Sequence, residues 1–470
     1  MQHESILVFV HGWSVRSTDT YGKLPERLLR DAAARGLSIR IRHVWLTKYV
    51  SFHDEVTVAD IARAFEAAIG AELRDVLAAG GRFACITHST GGPVVREWWR
   101  RFHLDRRGGS PCPMSHFVML APANFGSALA QLGRTRLARV KTWFAGVEPG
   151  TGVLDWLELG SPESWDLNLH WIGRPRRTAE SGGTFPFVLT GRTIDRRLYD
   201  HVNSYTGEPG SDGVVRAASA NLNAAHIRLV QAGPHVGAPL EVEHVRTAPP
   251  TAFATLPGCS HSGTSKGILR SVRDDDRPHP TVDAVLRCLS VETADDYRAL
   301  ARAFEREGPA AEPAVTPHSQ VIFRVEDDTG SLIGDFDLKL TAAREGRAPA
   351  RATPDDLPKG FFEDRQRNHR HRGTLTYYVD HAVMHRAASL GLSVDPHVSR
   401  GFVHFVRATL GASPELLSAM VRPDQTTLVD VVMRRVVRDG LVRLERLGGR
   451  DDRSFTRQPA GRPIGRDGRA

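Results

Sequence analysis

The first 270 residues alternate short apolar runs with amphipathic helical patterns, and this alternation restricts the fold more than any other feature of the chain. Four apolar runs have the length of buried strands: residues 6–10, 83–86, 116–120 and 185–189. Continuous apolar runs are typical of strands that are covered on both faces. Helical patterns over residues 58–77 and about 94–104 lie between them. Such alternation predicts a mostly parallel sheet with helices on both faces.

A chain of 470 residues is too long for one ordinary domain, and its character changes near residue 306. A stretch rich in Pro, Ala and Glu is followed there by short β-leaning segments with few strong helices, as in a β-sandwich. We predict this organisation: residues 1–290, an α/β domain; 291–318, a helix and linker; 319–450, a β-rich, sandwich-like domain; and 451–470, a disordered basic tail.

An insertion at about residues 127–180 interrupts the α/β pattern and contains Trp143, Trp156, Trp165 and Trp171. Long insertions of this kind often form lids over the functional edge of the sheet. The alternative is that these tryptophans pack a helical cap, and the two roles are compatible.

Composition argues against several classes of protein. No apolar run reaches the roughly 18 residues that a bilayer span needs, and the N-terminus lacks the basic and apolar regions of a signal peptide. We therefore expect a cytoplasmic protein in the producing cell, with any secretion independent of a signal. The four cysteines form no metal-binding or disulfide pattern. The net charge of +8 comes with dispersed arginines and no nucleic-acid-binding motif, so no nucleic-acid partner is expected.

A sharp polar turn, residues 87–92 with the sequence THSTGG, separates a buried apolar run from a helix. A serine at such a strand–turn–helix junction is strained and needs small residues two positions before and after it. Gly91 meets that need, and Thr87 meets it only in part. The start of the helix also offers free N–H groups that stabilise an oxyanion. We therefore predict that Ser89 is a catalytic nucleophile.

A second turn, His11–Gly12, directly follows the first apolar run. Such a pair can direct the next backbone N–H towards the serine. The N–H groups of Trp13 and Thr90 are then the predicted oxyanion hole, which stabilises the negative charge of a tetrahedral intermediate. The alternative is an ordinary turn at the end of a strand.

A serine nucleophile also needs a base and an acid that orients the base, and here the acid is expected before the histidine in the chain. We favour Asp212 because the apolar pair after it can anchor its loop; the other candidates are Asp195, the runner-up, and Asp200. We favour His261 because it follows the last apolar run, residues 251–256, among small residues; His235 and His279 are less well placed.

Five motifs occur in order along the chain: HGWS (residues 11–14), THSTGG (87–92), LAPANFGS (120–127), SDGVV (211–215) and CSHSG (259–263). Together they resemble the bacterial lipase and phospholipase branch of the α/β-hydrolase family over about residues 5–270. The resemblance implies an α/β-hydrolase fold, and Thr87 departs from the glycine usual in the family. The two-domain organisation is also similar to that of lipase effectors delivered by type VI secretion.

The resemblance implies hydrolysis of carboxylic esters through an acyl-serine intermediate, with Ser89, His261 and Asp212 as the triad. No metal or organic cofactor is expected. The aromatic-rich insertion favours an apolar acyl chain, so lipid acyl esters are the expected substrates, with peripheral membrane contact. The alternatives are a soluble carboxylesterase or acyltransferase that acts on small esters, and a non-catalytic binding protein on the same scaffold.

The densest basic cluster is RQRNHRHR at residues 365–372. It is a candidate for docking lipid headgroups or a partner, and the alternative is a solvated loop. Metal binding by His369 and His371 is not expected. The pattern leaves the oligomeric state open.

Overall fold

The computed structural model describes residues 4–11, 21–50, 55–105, 111–131, 150–173, 183–195, 208–343, 357–384, 389–397, 403–412 and 421–437. The strands are β1 (Ser5–His11), β2 (Ile39–Trp45), β3 (Phe83–His88), β4 (Met114–Leu120), β5 (Phe185–Gly191), β6 (Ala225–Gln231), β7 (Leu240–Thr247), β8 (Ala252–Leu256), β9 (His318–Asp327), β10 (Phe336–Ala343), β11 (Phe362–Arg367), β12 (Thr374–Asp380), β13 (Ser389–Pro396), β14 (Val403–His404), β15 (Ala408–Ala412), β16 (Thr426–Met433) and β17 (Val436–Val437). The α-helices are α1 (Leu24–Ala33), α2 (Val58–Glu72), α3 (Arg74–Ala78), α4 (Gly91–Trp99), α5 (Thr151–Leu157), α6 (Pro162–Ile172), α7 (Ala217–Ala220), α8 (Pro280–Leu289), α9 (Ala294–Ala311) and α10 (His381–Met384).

Six described strands form the first sheet in the order β2–β1–β3–β4–β5–β8, and every neighbouring pair is parallel. Alternate residues of β1 enter different cores, since Val8 packs on one face of the sheet and Phe9 on the other. Helices α2 and α4 cover the first face, and α1, α8 and α9 cover the second. The predicted mostly parallel sheet with helices on both faces is confirmed.

Local signals define the ends of two long helices. Thr57 caps α2 and Thr293 caps α9, each through a reciprocal pair of hydrogen bonds with the aspartate three residues later. Helix α9 runs to Ala311 and includes Pro309, so residues 306–311 of the Pro- and Ala-rich stretch, which the composition predicted to be linker, are helical.

The C-terminal region is β-rich, as predicted. Among the described residues the second sheet has the order β11–β12–β9–β16–β6–β7, and a third sheet has the order β10–β13–β15. Apolar side chains from both sheets, including Leu229, Phe323 and Val394, form a third core.

The hairpin of β6 and β7 crosses the predicted domain boundary. It lies between β5 and β8 in the chain, yet β6 pairs in parallel with β16, with Ala225 opposite Thr427. The two halves of the chain therefore interlock, and the boundary at residue 290 stays a prediction.

The described part of the insertion is a packed layer. Trp156, Trp165 and Trp171 are buried, and the guanidinium of Arg324 lies 4.5 Å from the Trp165 ring centroid. These contacts join α6 to the second sheet, as the helical-cap alternative requires. Trp143, the β-leaning segment at residues 441–447 and the predicted tail at 451–470 lie outside the described residues.

Two expectations from composition concern the cysteines and helices that could cross a membrane. All four cysteines are free thiols. None of the helices in the described part of the chain has the length and apolar character that a membrane crossing requires.

Candidate active site

Ser89 occupies the turn between β3 and α4, where its backbone φ is +53°. A positive φ is uncommon for a residue with a side chain, and the surroundings must hold it. The N–H of Ser89 donates to the carbonyl of Leu120 at 3.0 Å, and its own carbonyl accepts from the N–H of Gly92 at 3.2 Å. The main chain therefore fixes this strained turn at the carboxyl edge of the first sheet.

The residues that flank Ser89 approach one another closely. Thr87 is fully buried, and a Cβ placed on Gly91 would lie 3.2 Å from the Thr87 Cβ. A Cβ on Gly92 would lie 2.7 Å from the Pro122 Cβ. Because position 87 carries threonine, position 91 has no room for a larger residue without a shift of the turn.

His261 and Asp212 complete a hydrogen-bonded series with Ser89. The Nε2 of His261 lies 3.1 Å from the Ser89 Oγ, and its Nδ1 lies 2.9 Å from the Asp212 Oδ2. His261 is 2% exposed and Asp212 is fully buried. Because the carboxylate accepts, Nδ1 carries the proton and Nε2 is left to accept from the serine hydroxyl. This geometry suits activation of a serine nucleophile.

The loop that carries Asp212 is held by its own main chain. The Asp212 Oδ1 accepts the N–H of Val214 at 3.0 Å and the N–H of Val215 at 2.7 Å. Gly213 has a φ of +97°, which permits the tight turn, and Val215 is fully buried. The N–H of His261 also donates to the Asp212 carbonyl at 2.9 Å. The second carboxylate oxygen is therefore aimed at His261.

Arg216 attaches this loop to the second sheet. Its guanidinium donates to Glu208 at 2.8 Å and to Gln320 at 3.0 Å, pairs with Asp364, and lies 4.2 Å from the Tyr378 ring centroid. Burial acts to lower the pKa of Arg216, but the charges of Glu208 and Asp364 outweigh it and raise the pKa above its ordinary value. The second sheet therefore supports the position of Asp212.

An apolar pocket opens beside Ser89, with an empty volume of about 340 Å³ that includes its mouth. It is lined by Ser89, Thr90, Ala123, Ser127, Leu129, Ala130, Leu154, Leu157, Val214 and Val215. The leucines at 154 and 157 come from α5 of the insertion, and the valines come from the loop that carries Asp212. A pocket of this lining suits a hydrocarbon chain whose end reaches the serine.

One of the two predicted oxyanion donors lies in the described chain. Thr90 immediately precedes α4, and no described residue accepts a hydrogen bond from its backbone N–H. Trp13 lies outside the described residues. The adjoining His11 ends β1, and its ring stacks on Trp45 with centroids 3.8 Å apart.

Comparison with solved structures decides the family. The structure of phospholipase PlaB from Legionella pneumophila matches with 39% sequence identity and a TM-score of 0.85, over 98% of this chain and 98% of that chain. This chain belongs to the PlaB family. The complex of PlaB with thio-NAD matches with 39% identity and a TM-score of 0.82, over 94% and 96% of the two chains. The α/β-hydrolase fold expected from the five motifs is thereby confirmed.

More distant comparisons add nothing to that assignment. A lipase from Bacillus licheniformis, BlEst2, matches 46% of this chain and 79% of its own length with 17% identity and a TM-score of 0.31, which is too low to carry an inference. No protein-family model matches the chain. No curated protein matches it either.

The alternative acid and base residues have other partners in this member of the PlaB family. The carboxylate of Asp195 accepts from the Ser265 hydroxyl at 2.8 Å. His279 caps α8, because its Nδ1 accepts the N–H of Thr281 at 3.2 Å. His235 lies in an exposed turn, and Asp200 lies outside the described residues.

His88 is a site residue to which the sequence pattern assigned no role. Its ring lies against that of His261, with centroids 4.8 Å apart, and its Nε2 is 3.2 Å from the His261 carbonyl. A carbonyl only accepts, so Nε2 of His88 carries the proton. Burial, with a further contribution from His261, lowers the pKa of His88 to about 3. A neutral His88 therefore positions the loop of His261; its one sequence signal was adjacency to Ser89.

The basic cluster at residues 365–372 is built into the fold. Arg367 donates to the carbonyls of Gly334 and Phe336, and Arg370 pairs with Asp155 of the insertion. Part of this cluster therefore joins the insertion to the second sheet. Among the described residues, a group of side chains that could hold a metal ion lies elsewhere. It consists of His318, Glu363 and Asp380.

Proposed function

We propose that this chain hydrolyses acyl esters of phospholipids, with Ser89 as nucleophile, His261 as general base and Asp212 as the residue that orients the base. The observation that carries the proposal is the hydrogen-bonded series of these three side chains beside an apolar pocket. Membership of the PlaB family supports phospholipids as the substrate class, because the related protein is named a phospholipase.

The geometry supports a two-step acyl transfer. The Ser89 Oγ attacks the ester carbonyl while Nε2 of His261 accepts the hydroxyl proton, and Asp212 stabilises the imidazolium that forms. The Thr90 N–H, with the Trp13 N–H as the predicted second donor, binds the oxyanion. The alcohol portion leaves with the proton from His261. Water then gives a proton to His261 and attacks the acyl-serine. As the fatty acid leaves, His261 returns that proton to the Ser89 Oγ, which restores the hydroxyl and the neutral imidazole.

The surroundings of the serine favour a long acyl chain over an acetyl group. Each methylene that enters the pocket between Leu154 and Val214 contributes about 0.8 kcal/mol. The net charge of +8 supports peripheral contact with anionic lipid surfaces, where each basic residue near the surface contributes about 1 kcal/mol.

The test is to incubate the full-length protein with vesicles of mixed phosphatidylcholine and phosphatidylglycerol, and separately with a triglyceride emulsion, and to identify the products by mass spectrometry. We expect fatty acid and lysophospholipid from the vesicles. Ser89→Ala, which removes one hydroxyl from a residue outside the packed cores, should abolish both product release and labelling by a fluorophosphonate probe without change in the melting temperature.

Two outcomes would contradict the proposal. Equal rates on short soluble esters below and above the micellar threshold, without vesicle hydrolysis, would indicate a soluble carboxylesterase. Absence of fluorophosphonate labelling in the folded wild-type protein would indicate a scaffold that binds without catalysis.

A further inference from the structure

We propose that His318, Glu363 and Asp380 form a binding site for a divalent transition-metal ion of the zinc type. Their candidate ligand atoms all lie within 4.8 Å of one another. His318 begins β9, Glu363 lies in β11 and Asp380 ends β12. Because β12 pairs with both other strands, and Asp380 is opposite His318 in the register, the sheet itself brings the three residues together.

The histidine has the tautomer that a metal ligand requires. Its Nδ1 lies 2.9 Å from the carbonyl of Thr316. Since a carbonyl only accepts, Nδ1 carries the proton and Nε2 presents a lone pair. Metal-bound histidines usually donate their other ring N–H in this way.

The Nε2 of His318 has no hydrogen-bond partner in the described chain although it is buried, and the side chain is only 2% exposed. A buried acceptor without a donor costs free energy that a bound cation would recover. The Tyr378 ring stacks on the imidazole, with centroids 5.0 Å apart, and holds its plane. The unpartnered nitrogen is thus fixed towards the two carboxylates.

A shared cation requires the ligand atoms, which lie within 4.8 Å of one another, to come within about 4.2 Å, so the carboxylates must move slightly inward. Glu363 Oε1 lies 3.8 Å from His318 Nε2, which is too long for a hydrogen bond. Two ligands that each lie about 2.1 Å from one ion span such a distance at a wide angle. Glu363 is 33% exposed, so its side chain can move to close the site and leaves a path for entry. The Asp380 Oδ1 accepts the N–H of Val383 at 2.9 Å, which fixes that carboxylate.

Neither carboxylate is neutralised by a lysine or arginine of the described chain. Two carboxylates and a neutral imidazole carry two negative charges, which one divalent ion balances. The imidazole ligand favours zinc over magnesium or calcium, since those ions prefer oxygen ligands alone. A water molecule would complete a four-coordinate zinc site.

The site adjoins the loop that carries Asp212. A Cβ on Gly210 would lie 2.6 Å from the Tyr378 hydroxyl and 3.3 Å from the His318 Nδ1. The Tyr378 hydroxyl also donates to the Pro209 carbonyl at 2.8 Å. A metal that fixes His318 therefore stiffens the contact between the second sheet and this loop, and its binding should raise the melting temperature.

The test uses the full-length protein, stripped with a chelator and titrated with Zn²⁺ against a chromophoric competitor. Bound zinc is counted by elemental mass spectrometry after gel filtration. We expect one tightly bound zinc ion per chain and a higher melting temperature with zinc. Glu363→Gln should weaken the affinity at least about 100-fold, because loss of an outer partner alone costs roughly 10–100-fold. His318→Gln should have the same effect.

The matched control is Glu241→Gln, an exposed carboxylate on β7 at the opposite edge of the same sheet, which should bind zinc as the wild type does. Equal zinc affinity in the wild type and Glu363→Gln would overturn the proposal, and so would the absence of a stably bound ion. Preference for Mg²⁺ or Ca²⁺ in competition with Zn²⁺ would overturn the metal class. None of these readouts depends on ester hydrolysis.

Discussion

Replacement of Asp212 by asparagine keeps the shape of the side chain and tests the proposed role of the carboxylate. One oxygen accepts the N–H groups of Val214 and Val215 at 3.0 and 2.7 Å, and the other faces the Nδ1 of His261 at 2.9 Å. In the Asp212→Asn variant the amide oxygen should face the two backbone donors. The amide NH₂ group then faces His261, so Nδ1 must accept and the proton moves to Nε2. A protonated Nε2 cannot accept the proton of Ser89.

The hydrogen bonds of the loop determine how strongly the amide of the Asp212→Asn variant prefers this unproductive orientation. The reverse orientation of the amide would turn its NH₂ group towards both backbone donors in a fully buried site. Each unsatisfied buried donor costs about 1–3 kcal/mol, so the pair costs about 2–6 kcal/mol. A free-energy difference of about 1.4 kcal/mol corresponds to a factor of ten in population. Even a cost of about 2 kcal/mol therefore leaves less than about 4% of the molecules with the amide in the productive orientation. The expected fall in kcat is about 10⁴-fold, typical of this substitution in a serine triad.

The assay is kcat on phospholipid vesicles and on a short soluble ester, with the melting temperature as a check of folding. The control is Asp195→Asn, at the runner-up acid, whose carboxylate accepts from the Ser265 hydroxyl. We expect the control to change kcat by no more than a few-fold. Retention of more than about a tenth of the wild-type rate by folded Asp212→Asn would contradict the proposed role of Asp212, and so would an equal loss of activity in Asp195→Asn.

Two further predictions concern buried ionisable side chains. Burial holds the pKa of His11 and of His88 at about 3, against an ordinary value of 6.5. As the pH falls, these histidines take up protons in the unfolded chain before they do so in the folded protein. Their contribution to the free energy of unfolding should therefore be fully present above about pH 6.5 and be lost progressively towards about pH 3. The decline in melting temperature between pH 7 and pH 4.5 should be shallower in His88→Gln, and an unchanged slope would contradict the assignment. Arg216→Leu leaves Glu208 and Asp364 without their buried partner and should lower the free energy of unfolding in urea by about 3–5 kcal/mol. A loss below about 1 kcal/mol would show that the two carboxylates are solvated without Arg216.

Features that depend on neighbouring residues in the chain could be predicted from the sequence alone. The first strand could be predicted because five successive apolar residues, Ile6 to Val10, are typical of a strand whose two faces are both covered. The turn at Ser89 could be predicted because a strained φ and close packing restrict which residues stand beside it. The same motifs singled out Asp212 and His261, which the structure places in line with Ser89. Their catalytic roles stay predictions until the variants are assayed.

Contacts between segments that are distant in the chain could be identified only from the folded structure. Strand β6 pairs with β16 although about 200 residues separate them. This pairing could not be predicted, because the backbone groups at a strand edge are the same for every sequence and do not specify a partner. The grouping of His318, Glu363 and Asp380 follows from the same pairing of strands. The lowered pKa of His88 likewise depends on burial against a loop 173 residues away. Strand pairing and burial arise only when the layers of the fold assemble, so the local sequence pattern does not specify them.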